Sequence, residues 1–310
     1  MKFLVLGAGG VGGYFGGRLA ASGADVTFLV RERRCEQLKR DGLVIESTRG
    51  DLNMPVKTVT ASELLPGYDL VILTCKAYDL DASMDAVAPA MDGKCALLPL
   101  LNGMEHLEKL DARFGHDNIL GGSCHIAAML KSDGVIKHLN DVHLITIGER
   151  DKSVTPRIQA IDAAFAKSGV EARLSNDIML EMWEKIAFLS TLAGMTCLMR
   201  ANVGEIVRTP DGAELMQRYF LACVQIATQC GHPPRAHVVQ RMNGVVTERD
   251  SVLTASMLRD LEGGGQVEAD HIVGYMLRKA RELYIEDSLL TVAYTHLKAY
   301  EERRAAARLP

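Results

Sequence analysis

Apolar and polar positions alternate along the first half of the chain with two different periods. A short run of β-formers, Lys2–Leu6, passes straight into glycines, and helical spacing from Gly12 to Ala21 leads to a second run, Asp25–Val30. Strand, glycine turn, helix and strand within about thirty residues make a βαβ unit. The alternation predicts a helix near Glu32–Arg40 and strands at Leu43–Ser47, Pro55–Val59, Asp69–Thr74 and Cys95–Leu100, with a helix near Leu80–Ala90. The segments LVILT and ALLPL are continuously apolar, as parallel strands buried on both faces are. From His125 to Gly148 the pattern turns β-rich, parted by Ser132-Asp133-Gly134 and Asn140-Asp141, and predicts an antiparallel extension of the sheet. A helix over Thr155–Ser168 and a strand over Val170–Leu174 complete this half.

From Ile178 onward only helical periodicity remains, broken at Gly194, Gly204, Gly231-His232-Pro233-Pro234 and Gly263–Gly265. Leu180, Trp183, Ile186, Ala187 and Leu189 have the spacing of a buried helix face. Thr209-Pro210-Asp211-Gly212 predicts a loop and a helix start, with the aspartate placed to cap. The boundary falls near residue 176: an α/β domain over 1–176 is followed by an all-α domain over 177–310.

Composition narrows the classes. A length of 310 residues suits two domains, and 48% apolar residues suffice to fill both cores. A formal charge of −4 offers no electrostatic footprint for nucleic acid or an anionic membrane. The seven cysteines are scattered and never form C-x-x-C, and the nine histidines form no ligand pair. Neither a disulfide framework nor a metal site is expected. The apolar run Phe3–Leu6 is too short for a secretory signal, and no run approaches the roughly eighteen residues of a membrane helix. A cytoplasmic, soluble protein is expected.

The chemistry begins at Gly7-Ala8-Gly9-Gly10-Val11-Gly12, a G-x-G-x-x-G that follows a strand and opens a helix. Gly7 permits the tight turn, Gly9 lets the main chain approach a pyrophosphate, and Gly12 allows close helix–strand packing. Main-chain N–H groups at the helix start, Gly10 and Val11 among them, are then available to phosphates. A glycine-rich packing turn is the plainer alternative. At the end of the second strand stand Val30-Arg31-Glu32-Arg33-Arg34. A guanidinium at Arg31 suits the 2′-phosphate of NADP(H) through paired charge-assisted hydrogen bonds. Two alternatives stay open: Glu32 as a ribose partner, or a solvated basic helix start.

Three further segments complete the picture. Thr74-Cys75-Lys76-Ala77-Tyr78-Asp79 and Leu101-Asn102-Gly103-Met104 each follow a parallel strand, at the carboxyl ends where α/β ligands bind. Trp183-Glu184-Lys185 lies on the first helix of the second domain. Together with Ser256-Met257-Leu258 and Glu268-Ala269-Asp270, these segments resemble the ketopantoate (2-dehydropantoate) reductase family, from the glycine loop to about Tyr300. The resemblance implies a Rossmann-like NADP(H)-binding domain, a helical domain like that of 6-phosphogluconate dehydrogenase, and an active site in the cleft between them. It implies reduction of a 2-oxo acid, ketopantoate first among them for pantothenate synthesis, by hydride from NADPH. Lys185 takes the place of the general acid and Glu268 that of the active-site glutamate. Ser256 matches a serine at the substrate carboxylate. Asn102 matches an asparagine near nicotinamide and substrate, and Lys76 a lysine facing the cofactor. A homodimer through the helical domain is the family's suggestion.

Other roles stand beside these. A lysine on an amphipathic helix commonly snorkels to water; Lys185, however, leads a run from Ile186 to Met199 without any charged residue. Glu268 could be a first-turn acid favoured by the helix dipole, and Ser256 an ordinary helix serine. The chain also departs from the resemblance: Leu189, Ala193, Val203, Leu253 and Val273 stand where the family has asparagines, with Asn202 one residue displaced. A site built to bond a hydroxyl rejects analogues through such polar groups, so their loss opens a bulkier or more apolar 2-oxo acid or ketone as substrate. Two readings of other classes remain, a non-catalytic NADP(H)-binding regulator and an oxidising hydroxy-acid dehydrogenase. Lys185 and Glu268 disfavour the first, and the apolar stretch after Lys185 the second.

Overall fold

The structure is a computed structural model, and residues 1–309 are described. Two compact units emerge: residues Met1–Leu101 with His106–Ile178, and Asn102–Glu105 with the chain from Met179 onward.

In the first unit the apolar runs form ten strands: β1 (Lys2–Leu6), β2 (Asp25–Leu29), β3 (Leu43–Glu46), β4 (Leu52–Met54), β5 (Lys57–Val59), β6 (Leu70–Leu73), β7 (Ala96–Pro99), β8 (Gly121–Leu130), β9 (Ile136–Gly148) and β10 (Glu171–Leu174). Five of them, in the order β5-β2-β1-β6-β7, make a wholly parallel sheet. All four residues of β6 and all four of β7 are buried, which accounts for their unbroken apolar runs. Helices α1 (Gly10–Ala21), α2 (Glu32–Asp41), α3 (Leu80–Val87), α4 (Glu105–Phe114) and α5 (Pro156–Lys167) connect the strands.

One expectation is corrected. The β-rich segment after residue 120 does not extend the first sheet. It builds a second one, β10-β9-β3-β4 with β8 on β9, joined to the first through a single bridge between Leu97 and Ile119. Long β9 is the axis, antiparallel to β8 and parallel to β3 and β10. The physical reason lies in α1, whose sequence GVGGYFGGRLAA puts small residues on both faces. Gly16 lies against Phe28 and Val5 of the first sheet, while Gly17 meets Leu43 and Ile45 of the second. A helix so thin lets two sheets close on it, and one core holds both sets of apolar side chains.

The second unit is helical: α6 (Ile178–Met199), α7 (Val203–Val207), α8 (Gly212–Gln229), α9 (Ala236–Val246), α10 (Ser256–Glu262), α11 (Tyr275–Glu282) and α12 (Ser288–Ala305). α6 is its centre. Trp183, Ile186 and Ala187 are buried as the spacing predicts, whereas Leu180 and Leu189 are only half-buried. α8 crosses α6 at Gly194, where a Cβ would strike the Tyr219 ring. The hydroxyls of Thr191 and Thr196 donate to the carbonyls of Ala187 and Leu192, which satisfies these two buried side chains within the helix. Asp211 is the N-cap residue of α8 but its carboxylate accepts no capping bond, contrary to the expectation for it. No helix among the described residues is long and apolar enough to cross a membrane.

Candidate dinucleotide and active-site residues

The turn from β1 into α1 is built as the motif requires. Gly7 has φ +91°, in the region that glycine alone enters freely, and its N–H donates to Leu29 O at 2.9 Å. Gly12 is pressed against its surroundings: a Cβ there would come within 3.0 Å of Thr74 Oγ1 and of the Gly7 carbonyl oxygen, distances that real Cβ atoms do not show. Thr74, at the end of β6, closes the corner by donating to Leu6 O at 2.8 Å. Gly9 is the opposite case. A Cβ on it would meet nothing within 4 Å, so the main chain at Gly9 is bare toward open space. Close packing at Gly12 and an open approach at Gly9 are what a pyrophosphate on a helix N-terminus demands.

That open space is a cleft of ≈ 530 Å³ within the first unit. Gly7, Ala8 and Gly9 line it at one end, Leu29, Val30 and Arg31 follow at the tip of β2, and Cys75 and Asp79 come from beyond β6. Arg31 occupies the N-cap of α2, its side chain 84% exposed, with Nη2 3.6 Å from Asp79 Oδ1. Arg34 also lines the cleft, but its guanidinium donates to Ala8 O at 3.1 Å and to Gly134 O at 3.0 Å. Burial holds the Arg34 guanidinium below its ordinary value, and Asp41 partly offsets this. Arg34 thus ties the glycine loop to the turn before β9, while Arg31 presents its charge outward. Lys76 stands half-buried between Cys75 and the short turn Ala77–Asp79. Gly10 packs against the Ala128 carbonyl of β8, where a Cβ would come to 2.6 Å. Val11 is half-buried against the core.

The residues present therefore fit a dinucleotide: a glycine turn with φ positive, a bare approach at Gly9, and a guanidinium at the tip of β2. Among the described residues no three His, Cys, Asp or Glu side chains group in a way that would hold a metal ion.

The remaining sequence-predicted residues lie in the second unit, which includes the stretch Asn102–Glu105 after β7. Lys185 is half-buried on the second turn of α6. Its neighbour Glu184 is buried at 4% and committed to Arg235, accepting from its main-chain N and Nε at 2.9 Å each and from Nη2 at 2.5 Å. Glu268 is 8% exposed and stands two residues before a π-helical turn, Asp270–Gly274. Such turns interrupt a helix at a local cost and are frequent at functional sites. Asp270 is anchored by Tyr294 Oη at 2.5 Å and Lys298 Nζ at 3.1 Å. Asn102 is half-buried. Gly103 beside it, φ +101°, packs on His271 so closely that a Cβ would come to 2.6 Å from the imidazole Cδ2. Glu105 extends the same contact, 2.6 Å from Arg278 Nη2 and 3.7 Å from His271 Nδ1. The segments bearing Asn102 and Glu268 are thereby brought together through His271. Ser256, by contrast, is exposed at the first position of α10.

The five positions that depart from the resemblance divide in two. Ala193, Val203 and Val273 are buried, whereas Leu189 and Leu253 remain part-exposed. Asn202 serves the fold. Its side chain accepts from Glu205 N at 2.8 Å and Glu205 Oε2 accepts from Asn202 N at 2.9 Å, a capping box on α7.

Residues 3–152 match the family ketopantoate reductase PanE/ApbA, and residues 177–301 match its C-terminal domain. The chain belongs to the ketopantoate reductase family. It is 36% identical to the uncharacterized oxidoreductase YkpB of Bacillus subtilis (strain 168), over 98% of this chain and 100% of that protein. The solved 2-dehydropantoate 2-reductase from Geobacter metallireducens GS-15 superposes with a TM-score of 0.87 at 27% identity, covering 96% of this chain and 99% of that one. A D-mandelate dehydrogenase solved with NADH and anilino(oxo)acetate shares the fold, with a TM-score of 0.86 at 21% identity over 98% and 100% of the two chains. This ketopantoate reductase relative is thus an oxidoreductase of the family, with the family's parallel-sheet α/β domain and helical C-terminal domain.

Sequence reasoning passed over Arg34 and Asp79 in the cleft. Asp79 was visible as the last residue of the segment beginning at Thr74, but nothing in the chain announces that it faces Arg31. No local signal separates Arg34 from Arg31 either, since only burial distinguishes them.

Proposed function

We propose that this chain reduces a 2-oxo acid to the 2-hydroxy acid with NADPH, ketopantoate to pantoate being the first candidate and pantothenate synthesis the role that follows. The observation that carries the cofactor reading is the cleft in which Gly7, Gly9 and an outward-facing Arg31 converge. Gly7, Gly9, Gly10 and Val11 hold the pyrophosphate at the start of α1, with Gly12 keeping that helix close against the strands; Arg31 takes the 2′-phosphate, and Lys76 and Asn102 face the cofactor. Bound there, the nicotinamide supplies the hydride.

Lys185 is the general acid. Negative charge develops on the carbonyl oxygen as the ketone is reduced, and an ammonium held nearby stabilises that charge and delivers the proton from Nζ. Half-burial on α6 and the charge-free run that follows favour this role, because a cation in a low-dielectric setting acts more strongly on a nearby oxyanion. Glu268, buried before its π turn, holds the substrate hydroxyl or orients the lysine, and Ser256 binds the substrate carboxylate. The expected setting is cytoplasmic, and a homodimer is the expected assembly.

A second substrate reading rests on Leu189. It lies one turn beyond Lys185 on α6, on the same face, and remains half-exposed. An apolar side chain beside the acid favours a bulkier or more apolar 2-oxo acid. The deciding experiment is the initial rate of NADPH oxidation with ketopantoate, with branched aliphatic 2-oxo acids, and with an aryl 2-oxo acid. Turnover of ketopantoate above the others supports the first reading; preference for an apolar acid supports the second. Dinucleotide binding without oxidation by any carbonyl would overturn both in favour of a non-catalytic NADP(H)-binding regulator.

A further inference from the structure

The rim of the dinucleotide cleft carries more negative charge than a 2′-phosphate pocket calls for. Asp79 is the N-cap residue of α3, a position where aspartate ordinarily accepts an N–H of the first turn, yet its carboxylate makes no capping bond. It stands instead 3.6 Å from the Arg31 guanidinium, with side-chain exposures of 43% for Asp79 and 84% for Arg31. Both residues line the cleft, as does Glu32. The cation that would receive a 2′-phosphate is therefore already paired, and a carboxylate waits where the phosphate would arrive.

We propose that Asp79 is a specificity-determining residue that competes with the cofactor's 2′-phosphate for Arg31, so that the cleft discriminates between phosphorylated and unphosphorylated dinucleotides less than Arg31 alone would impose. The inference rests on Arg31 as the 2′-phosphate partner. An unphosphorylated ribose leaves the Arg31–Asp79 pair intact and meets carboxylates able to accept from its hydroxyls. A 2′-phosphate must draw the guanidinium away from Asp79 and tolerate a like charge beside it. Both charges are solvent-screened, so the effect is modest and sensitive to salt.

The test is calorimetric binding of NADP+ and NAD+ to the full chain, comparing wild type, Asp79→Asn and Arg31→Ala. The asparagine keeps the shape and a carbonyl for Arg31 but removes the charge. Asp79→Asn should bind NADP+ about two- to fivefold tighter while NAD+ changes by less than that, and the gain should shrink at about 0.5 M salt. Weaker NADP+ binding in Asp79→Asn would overturn the proposal, because Asp79 would then be holding Arg31 in place for the phosphate. Equal tightening of both dinucleotides would overturn it too, as a general change in the cleft. The Arg31→Ala variant isolates the premise: NADP+ affinity unchanged there, with NAD+ still bound, removes the assignment of Arg31 whatever Asp79→Asn shows.

Discussion

Replacing Gly12 and Gly9 by alanine, one at a time, should separate the packing role of the glycine turn from its binding role. At Gly12 the added methyl comes within 3.0 Å of two oxygens, and neither can yield cheaply. The Gly7 carbonyl belongs to a turn with φ +91°, and the Thr74 hydroxyl is held on Leu6 O at 2.8 Å. α1 must therefore lift from the junction of β1 and β6. Overpacking of this kind costs about 1–3 kcal/mol, offset by up to about 1 kcal/mol from the better helix propensity of alanine. The net cost is up to about 3 kcal/mol, and at about 2–4 °C per kcal/mol for a unit of this size the melting temperature should fall by up to roughly 12 °C.

At Gly9 the arithmetic differs. Its backbone, φ −90° and ψ −161°, is extended and open to any residue, and the methyl meets nothing within 4 Å. The apo protein should melt within about 1 °C of wild type. The methyl would instead occupy the approach to the pyrophosphate. A dinucleotide at a hundred times its Kd stabilises the wild type by about 2.7 kcal/mol, and a tenfold loss of affinity removes about 1.4 kcal/mol of that at the same concentration. Differential scanning calorimetry with and without NADP+ reads both quantities. Gly9→Ala retaining the full ligand-induced rise, or Gly12→Ala melting with the wild type, would refute the reasoning.

Three more outcomes follow from the same structure. Lys185→Ala should lower kcat by about 10²- to 10⁴-fold while leaving the NADP+ Kd within about twofold; parallel losses in both would instead mark a structural lysine. His143 is buried in the first unit and accepts or donates at 2.8 Å with the Tyr14 hydroxyl; burial pushes its pKa below 6.5, and Arg49, His138 and Arg18 add to this against Glu171. The neutral form is thus favoured in the fold, so stability present above pH 6.5 is lost as pH falls below it. Urea unfolding about one pH unit either side of that value should show the loss, and His143→Gln should lessen it; an unchanged slope would dismiss this histidine as a source. Burial pushes the thiols of Cys95, Cys197 and Cys223 up to about 12 and also raises that of Cys230, so maleimide should label the half-buried Cys75 first and the half-buried Cys230 after it. Cys75 lines the cleft, and saturating NADP+ should protect it but not Cys230; equal labelling of Cys75 with and without NADP+ would place the dinucleotide elsewhere.

Local order was legible in the sequence and long-range pairing was not. The β1–α1–β2 unit and the buried strands β6 and β7 follow from periodicity, because each element's own residues carry its pattern. β3 has the composition of its parallel neighbours but pairs with β9, Ile45 opposite Ile136, and nothing near Ile45 records a partner some ninety residues away. The glycines of α1 were read for the turn and for one packing contact. That Gly13 and Gly17 serve a second sheet becomes visible only when Ile136, Leu43 and Ile45 stand beside them. Helix α4 was missed for a different reason: of its buried residues His106, Leu107 and Leu110 only two are apolar, a short stripe among charges that follows a loop already claimed by Asn102 and Gly103.

The candidate site divides along the same line. Gly7, Gly9 and Arg31 are close in sequence or sit at the tips of adjoining strands, so a motif can name them and the fold brings them into one cleft. Among Arg31, Arg33 and Arg34, however, charge and spacing give no ranking. Arg34 spends its guanidinium on the carbonyls of Ala8 and Gly134 and on the Gln37 amide oxygen, and a half-buried donor so committed has little left for a ligand. Arg31 is 84% exposed and has only Asp79 to leave. The helical unit holds a carboxylate committed in the same way as Arg34. Glu184 is buried and bound by Arg235 through three donors, so its charge is neutralised within the fold rather than offered to a substrate. Between Arg31 and Arg34, then, the candidate is set by hydrogen-bonding capacity left at an accessible surface, and that property belongs to the folded chain.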